Sequence, residues 1–377
     1  MIMKVMIGLS GGVDSAVAAY LLKKQGYDVV AGFMRNWDSL ANNDYLGNPN
    51  VNASQCPQEK DYEDAKKVAD MLGIPLYRQD FVKEYWDNVF TYFLNEYKHG
   101  RTPNPDVFCN KYIKFDSFLK FAYSCGCDMI AMGHYAKRVD ENGTSFIYKA
   151  FDKNKDQSYF LSFLNNKQIG SCLFPLSDID KNEVRKIAHE LGLTSVMDKK
   201  DSTGVCFIGE RNFKSFLQNY LPAKEGLIIE GKTNKVVGKH QGVLYYTIGQ
   251  RKGLGIGGIK GEEGAFFIYK KDVAKNILYV AHPSDLDLLI SSCCYLSNVN
   301  WVGEKPNGKI EVGVKFRYRQ PDQKAFLEFE NDEIKLTYPQ GVEAVTPGQI
   351  GVIYSGEKLL GGGIIDRVYK NGTRIDV

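Results

Sequence analysis

Gly8-Leu9-Ser10-Gly11-Gly12-Val13-Asp14-Ser15 is the stretch from which the fold can be read. The apolar run before it, Lys4 to Leu9, reads as a buried strand. The run after it, Ser15 to Gln25, carries apolar residues at helical spacing and stops at Gly26, a residue suited to a helix C-terminus. A glycine turn between a first strand and a first helix is where an open α/β sheet places its ligand. Adjacent glycines let backbone N–H groups approach phosphate oxygens, Ser10 and Ser15 add hydroxyls, and the helix N-terminus adds partial positive charge. The plainer alternative is a tight turn capped by Asp and Ser. The G-x-x-x-x-G-K-[ST] loop is excluded because no Lys precedes Ser15, and G-x-G-x-x-G is absent here.

Working outward, Tyr27 to Met34 reads as a second strand, Asp61 as the cap of a helix running to about Leu72 and Gly73, and Ile74 to Tyr77 as a third strand. Trp86 to Tyr97 and Ile113 to Tyr123 read as helices and Asp128 to Met132 as another buried strand, so a doubly wound parallel sheet is expected. From about residue 210 the pattern changes. Gly242 to Ile248, Ala265 to Tyr269, Ile277 to Val280, Glu311 to Tyr318 and Ala325 to Phe329 read as strands between Gly, Asn and Pro turns, with a seam at Asp285 to Asn298 and a new strand group beginning at Trp301. The expected division is 1–207, 208–282 and 283–377, an α/β domain followed by two smaller β-rich ones.

At 377 residues, 44% hydrophobic and 25% charged, the chain is long enough for two or three cores and excludes disordered and fibrous classes. Neither a secretory signal nor a membrane-spanning run is visible. Eight cysteines without a C-x-x-C pair argue against a disulfide framework or a zinc ribbon, so a reducing cytoplasm and no dedicated metal site are expected. A net charge of +3 does not announce a polyanion binder, but Gly231 to Gly261 holds six basic residues (Lys232, Lys235, Lys239, Arg251, Lys252, Lys260) and no acid.

Two cysteines sit in unusual surroundings. Cys109, in Asn104-Pro105-Asp106-Val107-Phe108-Cys109-Asn110, follows a Pro turn, three residues after a carboxylate and near a helix N-terminus, a setting that lowers a thiol pKa. Cys206 lies in a Gly-bounded turn, Asp201 to Gly209. A cysteine taken blind is a small buried apolar residue, but rigid polar turns favour an aimed thiol. Asp106 has the alternative role of a helix cap. Gly253 to Gly258 matches G-x-G-x-x-G formally, yet a strand follows it; its basic neighbours suit a loop along a phosphate backbone or a solvated loop. Cys125, Cys127, Cys293 and Cys294 read as core residues. Arg317-Tyr318-Arg319, read on a β-strand, offers a ring and two guanidiniums to RNA or else a solvated face. His134 borders the nucleotide or serves structure.

The SGGVDS loop resembles that of the N-type ATP-pyrophosphatases, which adenylate a substrate and release pyrophosphate. With GFMRNW (32–37), NPDVFCNKYIKF (104–115), MGHYA (132–136), KDQSYFL (155–161), STGVCFIGER (202–211), YTIGQRKGLG (246–255) and FRYRQ (316–320), the chain resembles the bacterial tRNA-specific 2-thiouridylases over nearly its full length, departing at single side chains such as Phe108 and Tyr112. The resemblance implies an N-terminal domain of the adenine nucleotide alpha-hydrolase type and ATP, with Mg2+, bound by Gly8, Leu9, Ser10, Gly11, Gly12, Val13, Asp14, Ser15, Met34 and Gly133. It implies a persulfide on Cys206, resolution by Cys109, and proton transfer or polarisation by Asp106. It further implies tRNA contacts at Asn104, Pro105, Asp106, Lys155, Asp156, Gln157, Arg251, Lys252, Arg317 and Tyr318. The expected partners are tRNA and a persulfide sulfur-donor protein, with no membrane. An amide-forming synthetase of the same loop family, which needs neither cysteine, and an RNA-binding module that senses ATP are the alternatives.

Overall fold

The computed structural model describes residues 2–49, 57–197, 212–256, 264–331 and 333–376. Cys206 and the rest of 202–211, together with Cys56 and Lys260, lie outside the described residues.

Strands β1 (Lys4–Gly8), β2 (Asp28–Arg35), β3 (Leu76–Asp80), β4 (Met129–Ala131) and, later in the chain, β7 (Cys172–Leu173) form a parallel sheet in the order β3-β2-β1-β4-β7. Alternation along β1 explains its central place: Val5 and Ile7 enter one core while Met6 enters the other, so both faces are covered. The first core packs Val13, Ala16, Val17, Ala19 and Leu22 of helix Val13–Lys24 against helix Pro57–Leu72, which supplies Ala65, Val68 and Ala69. Small residues let these elements approach closely, and each buried Val or Leu contributes about 1.5–3 kcal/mol. The opposite core is aromatic, with Phe90, Phe93, Phe115 and Phe118 fully buried. The strand order reverses at β1, so the loop from Gly8 to Ser15 lies at the switch point of the sheet.

Helix Pro57–Leu72 begins four residues before the expected cap, so Asp61 sits inside it and Pro57 in its first turn, where a missing N–H costs nothing. The two aromatic helices also run further than expected. Val82–Tyr85 continues through a π-helical turn, Trp86–Phe90, into Thr91–Lys98. Pro105–Cys109 continues through Asn110–Ser117, also π-helical, into Phe118–Ser124. At the ends of the wide turns, hydroxyls donate to carbonyls five residues back: Thr91 Oγ1 to Trp86 O at 2.9 Å and Ser117 Oγ to Tyr112 O at 2.9 Å. At Trp86 the hydroxyl bond adds to the one the same carbonyl accepts from Thr91 N–H across the wide turn.

A hairpin of β5 (Ala136–Glu141) and β6 (Thr144–Lys149) leaves the parallel sheet and joins the C-terminal one through Lys358 opposite Tyr148. The central region is a four-stranded sheet, β10-β11-β8-β9, built from β8 (Gly226–Glu230), β9 (Val236–His240), β10 (Phe267–Asp272) and β11 (Ile277–Ala281). Gly242 to Ile248 is not a strand: Val243–Tyr245 is a 3-10 turn. Tyr245 and Tyr246 are both buried, which no alternating strand allows, and the Tyr245 hydroxyl donates to Leu221 O at 2.5 Å.

The C-terminal strands β12 (Ile290–Trp301), β13 (Ile310–Lys315), β14 (Gln323–Glu330), β15 (Glu333–Glu343), β16 (Ile350–Ser355) and β17 (Lys358–Lys370) close into an antiparallel barrel, because β12 pairs with both β15 and β17. Its interior holds Val314, Leu327, Leu336, Ile353 and Ile365. The expected seam is only partly a connection. Pro283–Leu289 is a 3-10 segment, and β12 then runs to Trp301, which ends a strand rather than beginning one.

Candidate active site

Three local features shape the loop. Gly11 has φ +71, and a Cβ there would lie 2.3 Å from the Asp61 carbonyl oxygen, so helix Pro57–Leu72 supports the loop at a point only glycine fits. Ser15 Oγ accepts from Ser10 N at 3.2 Å, donates to Gly12 O at 3.0 Å and lies 3.2 Å from Ser10 Oγ; the two hydroxyls therefore knit the loop together. Gly12 is the cap residue of helix Val13–Lys24 and no side chain caps that end, which leaves a helix N-terminus suited to an anion.

Gly133 follows β4 and backs onto this turn. A Cβ there would meet Ser15 N at 3.0 Å and Asp14 C at 3.1 Å. Met34 and Met132 crowd Gly8 from the other side. His134, next to Gly133, is buried beside the rings of Phe115 and Phe174, 5.8 and 6.5 Å away between centroids; burial, reinforced by the Lys114 charge, holds its pKa well below the ordinary value, so it is neutral near pH 7.

Asp14 points to two partners that sequence reasoning missed. Lys181 Nζ lies 2.6 and 2.8 Å from its two carboxylate oxygens, and the Tyr135 hydroxyl donates at 2.8 Å. The Lys181 side chain is 9% exposed and that of Asp14 33%, so a nearly buried ammonium stands at the mouth of the loop. Lys181 opens helix Lys181–Glu190, capped by Asp180 through Glu183 N at 2.8 Å. A buried cation at a helix N-terminus opposes the helix dipole, and that misplaced charge was the available sequence signal. Tyr135 is in turn fixed by Gln157, whose Oε1 accepts from Tyr135 N at 3.0 Å and whose N–H donates to Tyr135 O at 2.7 Å.

From Gln157 the chain leads to the cysteine. Phe160 O accepts from Asn110 Nδ2 at 3.3 Å, and the same amide donates to Asp106 O at 3.0 Å. Asn104 holds the N-cap position of helix Pro105–Cys109 without a side-chain capping bond, Pro105 occupies the first turn, and Asp106 is half-buried within that turn, so Asp106 is not the cap residue. Cys109 is the fifth residue of the helical run that begins at Pro105, near its N-terminus as expected, but it is 0% exposed and belongs to the aromatic core. Phe108 and Tyr112, two of the side chains at which the chain departs from the family pattern, stack on one another at 6.2 Å and 13° and wall that core.

The expected RNA contacts divide by orientation. Arg251 and Lys252 are exposed on the central domain, ahead of Gly253. Tyr318 lies in a turn after β13, not on a strand; its ring is 4.4 Å from that of Phe160, and its hydroxyl is 3.4 Å from Lys155 O, which joins the 155–160 segment to the barrel. Arg317 and Asp156 turn their charges inward. Arg317 Nη2 donates to Ile248 O (2.7 Å), Ala344 O (3.1 Å) and Thr346 Oγ1 (3.1 Å), and its pKa is lowered by burial. Asp156 is buried, accepts from Ala150 N and Ser158 N at 3.1 and 3.2 Å, and lies 3.5 Å from Lys315 Nζ. Arg319 is the exposed guanidinium of that turn. Among the described residues no group of His, Cys, Asp and Glu has metal-ligand geometry, and no helix is long and apolar enough to cross a membrane.

Comparison with known proteins adds to this geometry. Residues 3–210 match the family model described as the tRNA methyl transferase HUP domain, 214–282 the tRNA methyl transferase PRC-barrel domain, and 291–365 the aminomethyltransferase beta-barrel domain. The chain is 53% identical over 377 residues to a protein of Mycoplasma capricolum named tRNA-specific 2-thiouridylase, covering 97% of this chain and 99% of that one. It is 55% identical over 373 residues to its namesake in Mycoplasmopsis synoviae, covering 98% and 97%. Among solved structures, a 4-thiouridine synthetase–RNA complex with bound ATP matches at 16% identity and a TM-score of 0.33, covering 55% of this chain and 46% of that one, a likeness too partial to bear on function. Identity above half, sustained through all three domains, makes the chain a member of the tRNA-specific 2-thiouridylase family.

Proposed function

We propose that the chain is a cytoplasmic tRNA-uridine 2-sulfurtransferase that adenylates O2 of the wobble uridine with ATP and replaces it with sulfur. A carbonyl oxygen leaves poorly. Attack of O2 on the α-phosphorus expels pyrophosphate and turns that oxygen into part of departing AMP. Gly8 to Ser15 holds the phosphates by backbone N–H groups and the helix N-terminus, with Met34 and Gly133 beside the loop. Asp14 and Lys181 set the charge at its mouth, and magnesium is expected to arrive on the nucleotide. Asp106 handles the N3 proton or polarises the attacking group.

Sulfur then comes from a persulfide on Cys206, loaded by a donor protein. Its outer sulfur bonds to C2 as AMP departs. The Cys109 thiolate attacks the inner sulfur, the S–S bond breaks, 2-thiouridine leaves, and a Cys109–Cys206 disulfide remains for a reductant to reopen. Because Cys109 is fully buried, its helix must shift for this exchange. Arg251, Lys252, Lys155 and Tyr318 are the proposed contacts to tRNA, with Asn104 and Pro105 beside the target base.

The observation that carries this reading is the full-length identity to 2-thiouridylases. Mass spectrometry of tRNA wobble nucleosides after incubation with ATP and a persulfide source tests it. Wild type is expected to form 2-thiouridine. Cys109→Ser and Cys206→Ser are expected to release pyrophosphate with tRNA and yet make none, with labelled sulfur trapped on Cys206 in Cys109→Ser. Label on Cys109, or turnover by Cys206→Ser, overturns the assignment.

A further inference from the structure

The segment before the cysteine helix, Arg101 to Asn104, is held from outside its own domain. Gln349 Nε2 donates to Thr102 O at 2.8 Å and to Pro103 O at 3.3 Å. Thr102 N donates to Pro347 O at 2.9 Å, and Arg101 Nη1 donates to Asp366 Oδ1 at 2.7 Å. Gly348, at φ +91, brings its backbone so close that a Cβ would lie 2.8 Å from Thr102 N. The central domain adds Thr247 Oγ1, 3.3 Å from Thr102 Oγ1. The barrel holds Asn104 as well: the Tyr159 hydroxyl donates to Ile350 O at 3.0 Å and is hydrogen-bonded by the Asn104 side chain. The barrel turn is itself fixed, because Gly348 N donates to Ile365 O and Ile365 N to Gln349 O, each at 2.8 Å.

Asp106 follows Pro103 by three residues and Cys109 by six, with Pro105 stiffening the path. We infer that Gln349 is a positioning residue for the sulfur-transfer chemistry: through Thr102 and Pro103 it sets where helix Pro105–Cys109 starts, so the C-terminal barrel aligns Asp106 and Cys109 as well as carrying an RNA surface. Gln349 suits the task because one amide nitrogen serves two consecutive carbonyls that have no helical partner. The inference rests on the function proposed above.

The test uses the full chain with Gln349→Met, which keeps length and removes the donor, and Gln349→Glu, which sets a carboxylate against two carbonyl oxygens. Three quantities are read: tRNA Kd, the rate of 2-thiouridine formation at saturating tRNA, and the rate of Cys109 alkylation by peptide mapping. Losing two hydrogen bonds from one amide is expected to lower the saturated rate about tenfold in Gln349→Met, and further in Gln349→Glu, with Kd within about twofold. Alkylation of Cys109 is expected to rise by about the same factor, since the helix start is no longer fixed. Asp366→Asn, which weakens the Arg101 anchor, is expected to reproduce both changes more mildly, and it carries the test should either Gln349 variant lose its thermal transition. A weakened Kd with an unchanged saturated rate and unchanged alkylation overturns the inference and leaves the barrel as an RNA grip alone. If wild type makes no 2-thiouridine while Cys109 alkylation still rises in the variants, the function has failed and the positioning contact has not.

Discussion

Gly133→Ala probes the contact on which the nucleotide loop depends. The added methyl would meet only backbone: Ser15 N at 3.0 Å, Asp14 C at 3.1 Å and Ser15 Cα at 3.1 Å. Ordinary carbon contacts begin near 3.5 Å, so the loop or the end of β4 must retreat by a few tenths of an ångström with no flexible side chain to yield. Overpacking of this kind costs about 1–3 kcal/mol, which for a domain of this size lowers Tm by about 2–12 °C. A displacement of that order at a phosphate-positioning turn is expected to slow tRNA-dependent pyrophosphate release roughly 5- to 50-fold. The tRNA Kd is expected to stay within about twofold, since the added methyl touches Asp14 and Ser15 and neither Arg251 nor Lys252. Gly12→Ala is the internal contrast, because its backbone is extended and the new methyl would meet only Ser10 Oγ at 3.5 Å. Its Tm is expected to stay within about 2 °C of wild type. Scanning calorimetry and a coupled pyrophosphate assay read both variants. Wild-type pyrophosphate release by Gly133→Ala, or an equal Tm loss in Gly12→Ala, would refute the packing argument.

Asp14→Ala is expected to abolish tRNA-dependent pyrophosphate release and leave tRNA affinity within a few fold. Lys181→Met is expected to slow the same step at least tenfold, because it removes the cation paired with Asp14; a wild-type rate in Lys181→Met would take that pair out of the nucleotide site. Arg251→Ala with Lys252→Ala should lower the salt slope of tRNA binding by about two contacts at roughly 0.7–0.9 each, whereas an unchanged slope moves the RNA surface elsewhere. Arg317→Ala should instead cost about 2–3 kcal/mol of stability, read in a denaturant titration, with the salt slope unaltered, since its guanidinium serves three protein acceptors.

The N-terminal architecture was legible because its signals are local. A strand run, a glycine turn and a helical apolar stripe are short-range patterns, and the turn's place at the switch point follows from β-α-β connectivity. Closure of the barrel and the 3-10 turn at Val243–Tyr245 were not legible from the same patterns. Both depend on what packs on the other side: β12 meeting β17 across almost the whole domain, and Tyr245 reaching Leu221 O. The cysteine and the loop could be named from their neighbours in the chain. The partners that set their chemistry could not, for Lys181 is 167 residues from Asp14 and Gln349 is 247 from Thr102. Local sequence fixes backbone conformation through sterics and turn chemistry, which act over a few residues. Charge pairing and burial act through space, so only the tertiary structure decided that Arg317 and Asp156 turn inward, that Cys109 is enclosed, and that a barrel at the far end of the chain holds the entrance to the cysteine helix.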